Sequence, residues 1–164
     1  MAENYGTKIE RKLMAHYINV SGSAAAEWER LGKDLEELNI ELNADAEDKK
    51  NILGETNVLI SAYAATASAE PYYARQGTKL FEKLQEIVDG RLVLDDLAIE
   101  TLEVHLWDGT SGSYKAIKEV AYLEVTSYGG DTTGYQIPFT LHYTGERVSG
   151  TFDIDTKTFT ETGA

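Results

Sequence analysis

Gln136-Ile137-Pro138-Phe139-Thr140-Leu141-His142-Tyr143 is the stretch that decides the fold class. Ile137, Phe139, Leu141 and Tyr143 alternate with Gln136, Pro138, Thr140 and His142. A period of two marks a strand with one face buried, because successive side chains of an extended chain point to opposite faces. Pro138 has no N–H to give to a ladder, so an edge or a bulge is expected there. The same period recurs in Leu38, Ile40 and Leu42 against Asn39, Glu41 and Asn43, and in Leu102, Val104 and Leu106 against Glu103 and His105. It returns in Val148, Phe152 and Ile154 against Ser149, Thr151, Asp153 and Asp155. Segments of this kind predict a mainly β chain, an antiparallel β-sandwich or barrel.

Working outward, Val58 to Ala65 is apolar on both faces, which predicts cover on both. Tyr114 to Thr126 reads as a long strand with a bulge or bend near Glu119-Val120-Ala121. Ser127 to Gly134 holds three glycines and an aspartate among small polar residues, a hairpin loop. One helix is expected at about 78–89, flanking the sheet. Leu80, Phe81, Leu84, Ile87 and Val88 form its apolar stripe, with Thr78 as N-cap and Gly90 as stop. Ala24 to Leu31 reads as a weaker helix or as a strand carrying Trp28 inward.

The chain of 164 residues suits one domain over 1–164, with an N-terminal arm at about 1–12 and an extended loop at 43–55. Cysteine is absent, which excludes a disulfide scaffold, a thiolate metal site and a cysteine nucleophile. The first eleven residues mix charges with no apolar run behind them, so no signal peptide is expected. No run of about 20 apolar residues offers a membrane span.

The formal charge is −13. Glu27 to Glu55 contributes 4 − 10 = −6 and Leu92 to Tyr114 contributes 0 − 5 = −5. Such a surface repels phosphate backbones and anionic lipid. No G-x-S-x-G elbow, H-E-x-x-H pair or phosphate-binding glycine loop occurs. His16, His105 and His142 fall on expected strands, far apart in sequence. Asp95-Asp96 and Asp153/Asp155 lack the spacing of a calcium loop. No catalytic, cofactor-binding or metal residue is assigned, and the chain is not read as an enzyme.

Asn43 to Glu55 has a run of nine residues, Asn43 to Asn51, without a large apolar side chain, glycine or proline. A tight hairpin needs two to five residues, so a polar link this long reads as an interaction loop. Its inter-subunit candidates are Asp45, Glu47, Asp48, Lys49, Lys50 and Asn51.

The segment from Glu55-Thr56-Asn57-Val58 through Ser61-Ala62-Tyr63 and Ala69-Glu70-Pro71-Tyr72-Tyr73-Ala74-Arg75-Gln76-Gly77 to Leu80-Phe81-Glu82-Lys83-Leu84 resembles the major tail (tail tube) proteins of tailed bacteriophages. The likeness is strongest to those of Gram-positive hosts and their prophage or tailocin relatives, and it covers roughly Trp28 to Asp155. The resemblance implies subunits that form hexameric rings, stacked into a tube that DNA crosses at ejection. It implies that the long loop reaches a neighbour. The implied partners are further copies of the chain, together with tape-measure, tail-tip and terminator proteins. DNA passes without specific binding, no membrane is involved, and assembly occurs in the host bacterial cytoplasm before the protein resides in the virion tail. Lumen-facing candidates are Asn39, Glu41, Asn43, Asn57 and Ser61, polar residues of the strands expected to line the channel. Two rival readings remain: a tube of a contractile injection or secretion system, and a monomeric β-barrel that binds a small ligand through Tyr63, Tyr72 and Tyr122.

Overall fold

Three long strands form the spine of the molecule: β7 (Ala98–Thr110), β8 (Ser113–Val125) and β11 (Phe139–Asp153). A computed structural model describes residues 6–21, 25–33 and 35–162. The first five residues of the expected N-terminal arm lie outside them, as does Ala24 of the 24–31 segment. Joined to the spine are β1 (Met14–Asn19), β2 (Trp28–Leu31), β3 (Ile40–Glu41), β6 (Thr66–Ala69) and β12 (Thr158–Glu161). Together they make an eight-stranded antiparallel sheet in the order β2-β1-β7-β8-β11-β6-β3, with β12 also on β11. The fold is mainly β and sandwich-like, without closure into a barrel. Two small sheets stand apart, β4 (Ala44–Lys50) with β5 (Thr56–Tyr63), and β9 (Gly129–Asp131) with β10 (Gly134–Gln136).

The alternation sorts side chains into two cores on opposite faces of the sheet. Tyr17 and Ile18, consecutive on β1, belong to different cores. One face, at one end of the strands, carries Ile99, Ala121, Leu123, Phe139 and Leu141 beneath the α-helix α1 (Lys79–Gly90). The other face, at the opposite end, gathers Tyr17, Trp28, Leu102, Val104, Ala116 and Phe152, with Phe159 against them. Trp28 and Phe159 lie on opposite edge strands yet share this cluster, so the sheet curls over it. The cores are therefore diagonal, and each face keeps one uncovered polar quarter.

Helix α1 follows the expected stripe: Leu80, Leu84, Ile87 and Val88 are buried, and Phe81 is half-buried against them. Thr78 occupies the N-cap position, but its hydroxyl donates to the Arg75 carbonyl instead. The Glu29 carboxylate, arriving from β2, accepts from the Leu80 N–H at 3.1 Å and satisfies one of the orphan donors of the first turn. Residue 91 is an arginine in the left-handed region (φ 49°), which closes the helix beyond Gly90.

The structure decides or corrects several expectations. Of the 24–31 segment, Trp28–Leu31 forms strand β2 rather than a helix, with Trp28 buried. The strand expected over Leu38–Leu42 shrinks to Ile40–Glu41; Leu38 is buried but Leu42 is exposed, because the chain leaves the sheet at Asn43 (φ 47°). The extension at 43–55 is itself part of a hairpin, with Ala44–Lys50 paired along Thr56–Tyr63. Val58 to Tyr63, expected to be covered on both faces, is exposed throughout. The irregularity expected near Glu119–Ala121 sits at that level, but the extra residues are on β11, between Tyr143 and Arg147. Pro138 lies immediately before β11, where no ladder bond is asked of it.

Candidate assembly surfaces

The β4–β5 arm is the most unusual surface. Its base is pinned: Ala64 N–H donates to the Asn43 carbonyl at 3.4 Å, and Asn43 Nδ2 donates to the Ala64 carbonyl at 3.0 Å and Thr66 Oγ1 at 3.2 Å. Beyond that point every residue of both strands is exposed. A lone two-stranded hairpin is at best marginally stable in water. The register shifts after Asp45, which pairs with Ala62, whereas Ala46 pairs with Ile60. The extra residue, Ser61, turns its hydroxyl to Asp45 Oδ2 at 3.3 Å. The shift places Tyr63 on the same face as Ile60 and Val58, beside Ala46 and Ala44. The opposite face carries Asp45, Glu47, Lys49, Asn57 and Ser61, with Leu59 the lone large apolar residue. The face with Val58, Ile60 and Tyr63 is apolar at the base of the arm and carries Asp48 and Lys50 toward its tip, and it belongs to neither core of the monomer.

The six inter-subunit candidates are all on this arm and exposed: Asp45, Glu47, Asp48, Lys49 and Lys50 along β4, and Asn51 at the turn. Sequence reasoning missed the apolar residues that accompany them, Ile52, Leu53, Val58, Ile60 and Tyr63. The signal for Val58, Ile60 and Tyr63 is present in the sequence, as a strand apolar on both faces, whereas Ile52 and Leu53 lie in the turn before it.

The lumen candidates divide. Asn39 and Glu41 line a polar cleft with Glu37, Thr66, Ser68 and Glu70. Asn43 is the pivot at the arm base, and Asn57 and Ser61 are on the arm itself. The cleft continues across the polar quarter opposite α1. Ser68 and Thr140 share a hydrogen bond at 3.2 Å, His142 Nε2 lies 2.8 Å from Glu124 Oε2, and Lys118 lies 3.7 Å from Glu100. Glu37, Glu41, Glu70, Glu100 and Glu124 with Asp95, against Lys118 and Lys157, give this face 2 − 6 = −4. Sequence reasoning missed Ser68 and Glu70, whose alternation with Ala67 and Ala69 involves side chains too small to stand out.

The second polar quarter, on the helix side, holds an ion cluster in which Glu119 is buried beneath a partly exposed Arg147. Arg147 reaches Glu119 at 2.9 Å and Glu103 at 3.3 Å, and Gly145 N–H donates to Glu119 at 3.0 Å. Glu119 is buried, and neighbouring Tyr143 has its phenol pKa raised by burial and then by Glu103 and Glu119. On β1, burial together with Arg11 and Arg30 lowers the His16 pKa to about 4, so the ring stays neutral and faces Arg11 Nη2 at 3.2 Å.

His16, His105 and His142 are on three different strands, and no group of three or more His, Asp or Glu suited to a metal occurs among the described residues. Asp153 is occupied in a turn, accepting from the N–H groups of Asp155 and Thr156. The three tyrosines expected to line a ligand cavity are not brought together: Tyr72 packs in the core on Phe139, Tyr63 is on the arm, and Tyr122 is on the open polar face. No helix among the described residues is long and apolar enough to cross a membrane. No protein-family model and no curated protein matches this chain.

Proposed function

We propose that this protein is a structural, self-assembling subunit of the tail tube of a tailed bacteriophage, forming stacked hexameric rings through which DNA passes. The observation that carries the reading is the arm: a hairpin with Val58, Ile60 and Tyr63 on one face, which none of the described residues covers. Uncovered apolar surface of this kind marks a protein contact. Its chemistry suits a further copy of the chain, since the arm is fixed at its base and aimed away from the core. The acidic quarter around Glu37, Glu41, Glu70 and Glu124 is the surface offered to the channel. A wall of that sign holds no phosphate backbone, so DNA slides past it. In this reading Asn39 and Glu41 belong to the wall, and Asn57 and Ser61 belong to the arm.

Excision of the arm tests the reading. Asn43 and Ala64 are already hydrogen-bonded across the base, so a short glycine linker replaces Ala44–Tyr63 without disturbing the eight-stranded sheet. Sedimentation velocity over a concentration series is expected to show assemblies for the intact chain and folded monomer for the excised one. Equal assembly of the two would remove the arm from the interface.

A further inference from the structure

The arm leaves two sheet edges open, and they differ. Among the described residues, the backbone of Thr56–Tyr63 pairs with β4 alone, so the outward N–H and C=O groups of β5 have no partner. Such a row is a template for a further strand, and folded proteins blunt it with charge, proline or a bulge. The outer strand β4 is blunted in this way by Asp45, Glu47, Asp48, Lys49 and Lys50, five charges in seven residues. Strand β5 runs for eight residues without a charge, a proline or a glycine. Its one irregularity is the extra residue Ser61, so Thr56 to Ile60 is a regular and unprotected edge.

We propose that this edge pairs with β5 of a second copy of the chain, antiparallel and centred on Val58. The proposal rests on the self-assembly reading and names the contact by which the arm makes it, main-chain strand addition. The molecule's own stock of edges selects the occupant. The open edge of β2 carries Glu29 and Arg30 in its four residues, and those of β12, β9 and β3 are four, three and two residues long. Among the described residues β5 is the longest open edge and carries no charge, so its best match on a second copy is the same edge.

Centring on Val58 keeps Ser61 out of the ladder. Val58 then faces Val58 of the second copy, Thr56 faces Ile60 and Asn57 faces Leu59, which sets β-branched side chains opposite one another and no like charges. The two arms run in opposite directions, so the tip turn of each, with exposed Ile52 and Leu53, lies alongside the base of the other, where Tyr63 is exposed. The joint sheet has the order β4-β5-β5-β4. A charged strand stands at each outer edge, so pairing stops at two arms and does not run on into a fibril. The contact is isologous and two-fold, and it joins two rings rather than neighbours within one ring.

The cysteine-free chain gives a direct test. Val58→Cys and Asp48→Cys are made in separate full-length chains, each oxidised under assembly conditions. The two positions are exposed cross-strand neighbours on one face of the arm, so they are alike in access. In the joint sheet the two Val58 positions are directly opposite, about 4.5–5.5 Å apart at Cα and within reach of a disulfide. The two Asp48 positions are three strand spacings apart, about 14 Å, and out of reach. Val58→Cys is expected to form its disulfide dimer roughly tenfold faster than Asp48→Cys, as a shared contact raises effective concentration. Assemblies in which the two variants cross-link at the same rate, or Asp48→Cys faster, overturn edge pairing while leaving self-assembly standing. A wild-type chain that stays monomeric at millimolar concentration overturns both.

Discussion

Replacing Ile60 by alanine separates what holds the monomer from what joins copies. Ile60 is 56% exposed and belongs to neither core. Fully burying an isoleucine side chain contributes about 1.5–3 kcal/mol, so covering the remaining half contributes about 1 kcal/mol per arm contact. One arm is seated for each subunit added, so the concentration at which assembly begins should rise roughly fivefold in Ile60→Ala, since each 1.4 kcal/mol is a factor of ten. The free energy of unfolding of the monomer should change by less than about 0.5 kcal/mol, as for other exposed positions. Pelleting assays across a dilution series give the first quantity and urea denaturation of dilute protein gives the second. An unchanged assembly threshold, or a loss of monomer stability of several times that size, would refute the placement of Ile60 at an interface.

Three further substitutions test the interior. Leu84→Ala truncates a fully buried residue of α1 and should cost about 2–5 kcal/mol in urea denaturation; a negligible cost would take the helix off the sheet. Arg147→Ala strands the buried Glu119 carboxylate and should cost about 3 kcal/mol, the low end for breaking a buried pair because Arg147 is itself 42% exposed. Adding Glu119→Gln should restore part of that loss, and a double variant less stable than Arg147→Ala alone would contradict the charge argument. For His16 the folded pKa of about 4 lies below the ordinary 6.5, so the unfolded chain takes up the proton first as pH falls. Its contribution is present above pH 6.5, declines toward pH 4 and is absent below, on the order of 3 kcal/mol in all. His16→Gln should flatten the stability profile across that window, and parallel profiles for the two proteins would contradict it.

The strands and the helix are legible in the sequence because their burial is periodic. Leu102 and Val104 alternate with Glu103, and Leu80, Leu84 and Ile87 follow a helical stripe, so local pattern and tertiary cover agree. Strand β4 is not legible, because Ala44 to Lys50 has no large apolar side chain and is strand only through its pairing with β5. The exposure of β5 escapes the sequence for a physical reason: a run apolar on both faces implies cover, and the described residues do not supply it. The ion cluster is hidden because Glu103 reads as the solvent side of its strand and Glu119 falls where the alternation of its strand breaks, and Arg147 meets them only through the irregular register of β11. The division of the lumen candidates has the same origin, since Asn57 and Ser61 belong with the sheet only if the arm is a loop.

Electron microscopy of the purified full-length chain at high concentration asks whether these copies build a tube at all. Stacked rings with a central channel, lost when Ala44–Tyr63 is excised, are the expected image. A uniform field of single particles of about the 18.1 kDa monomer, at every concentration and salt condition, would contradict it.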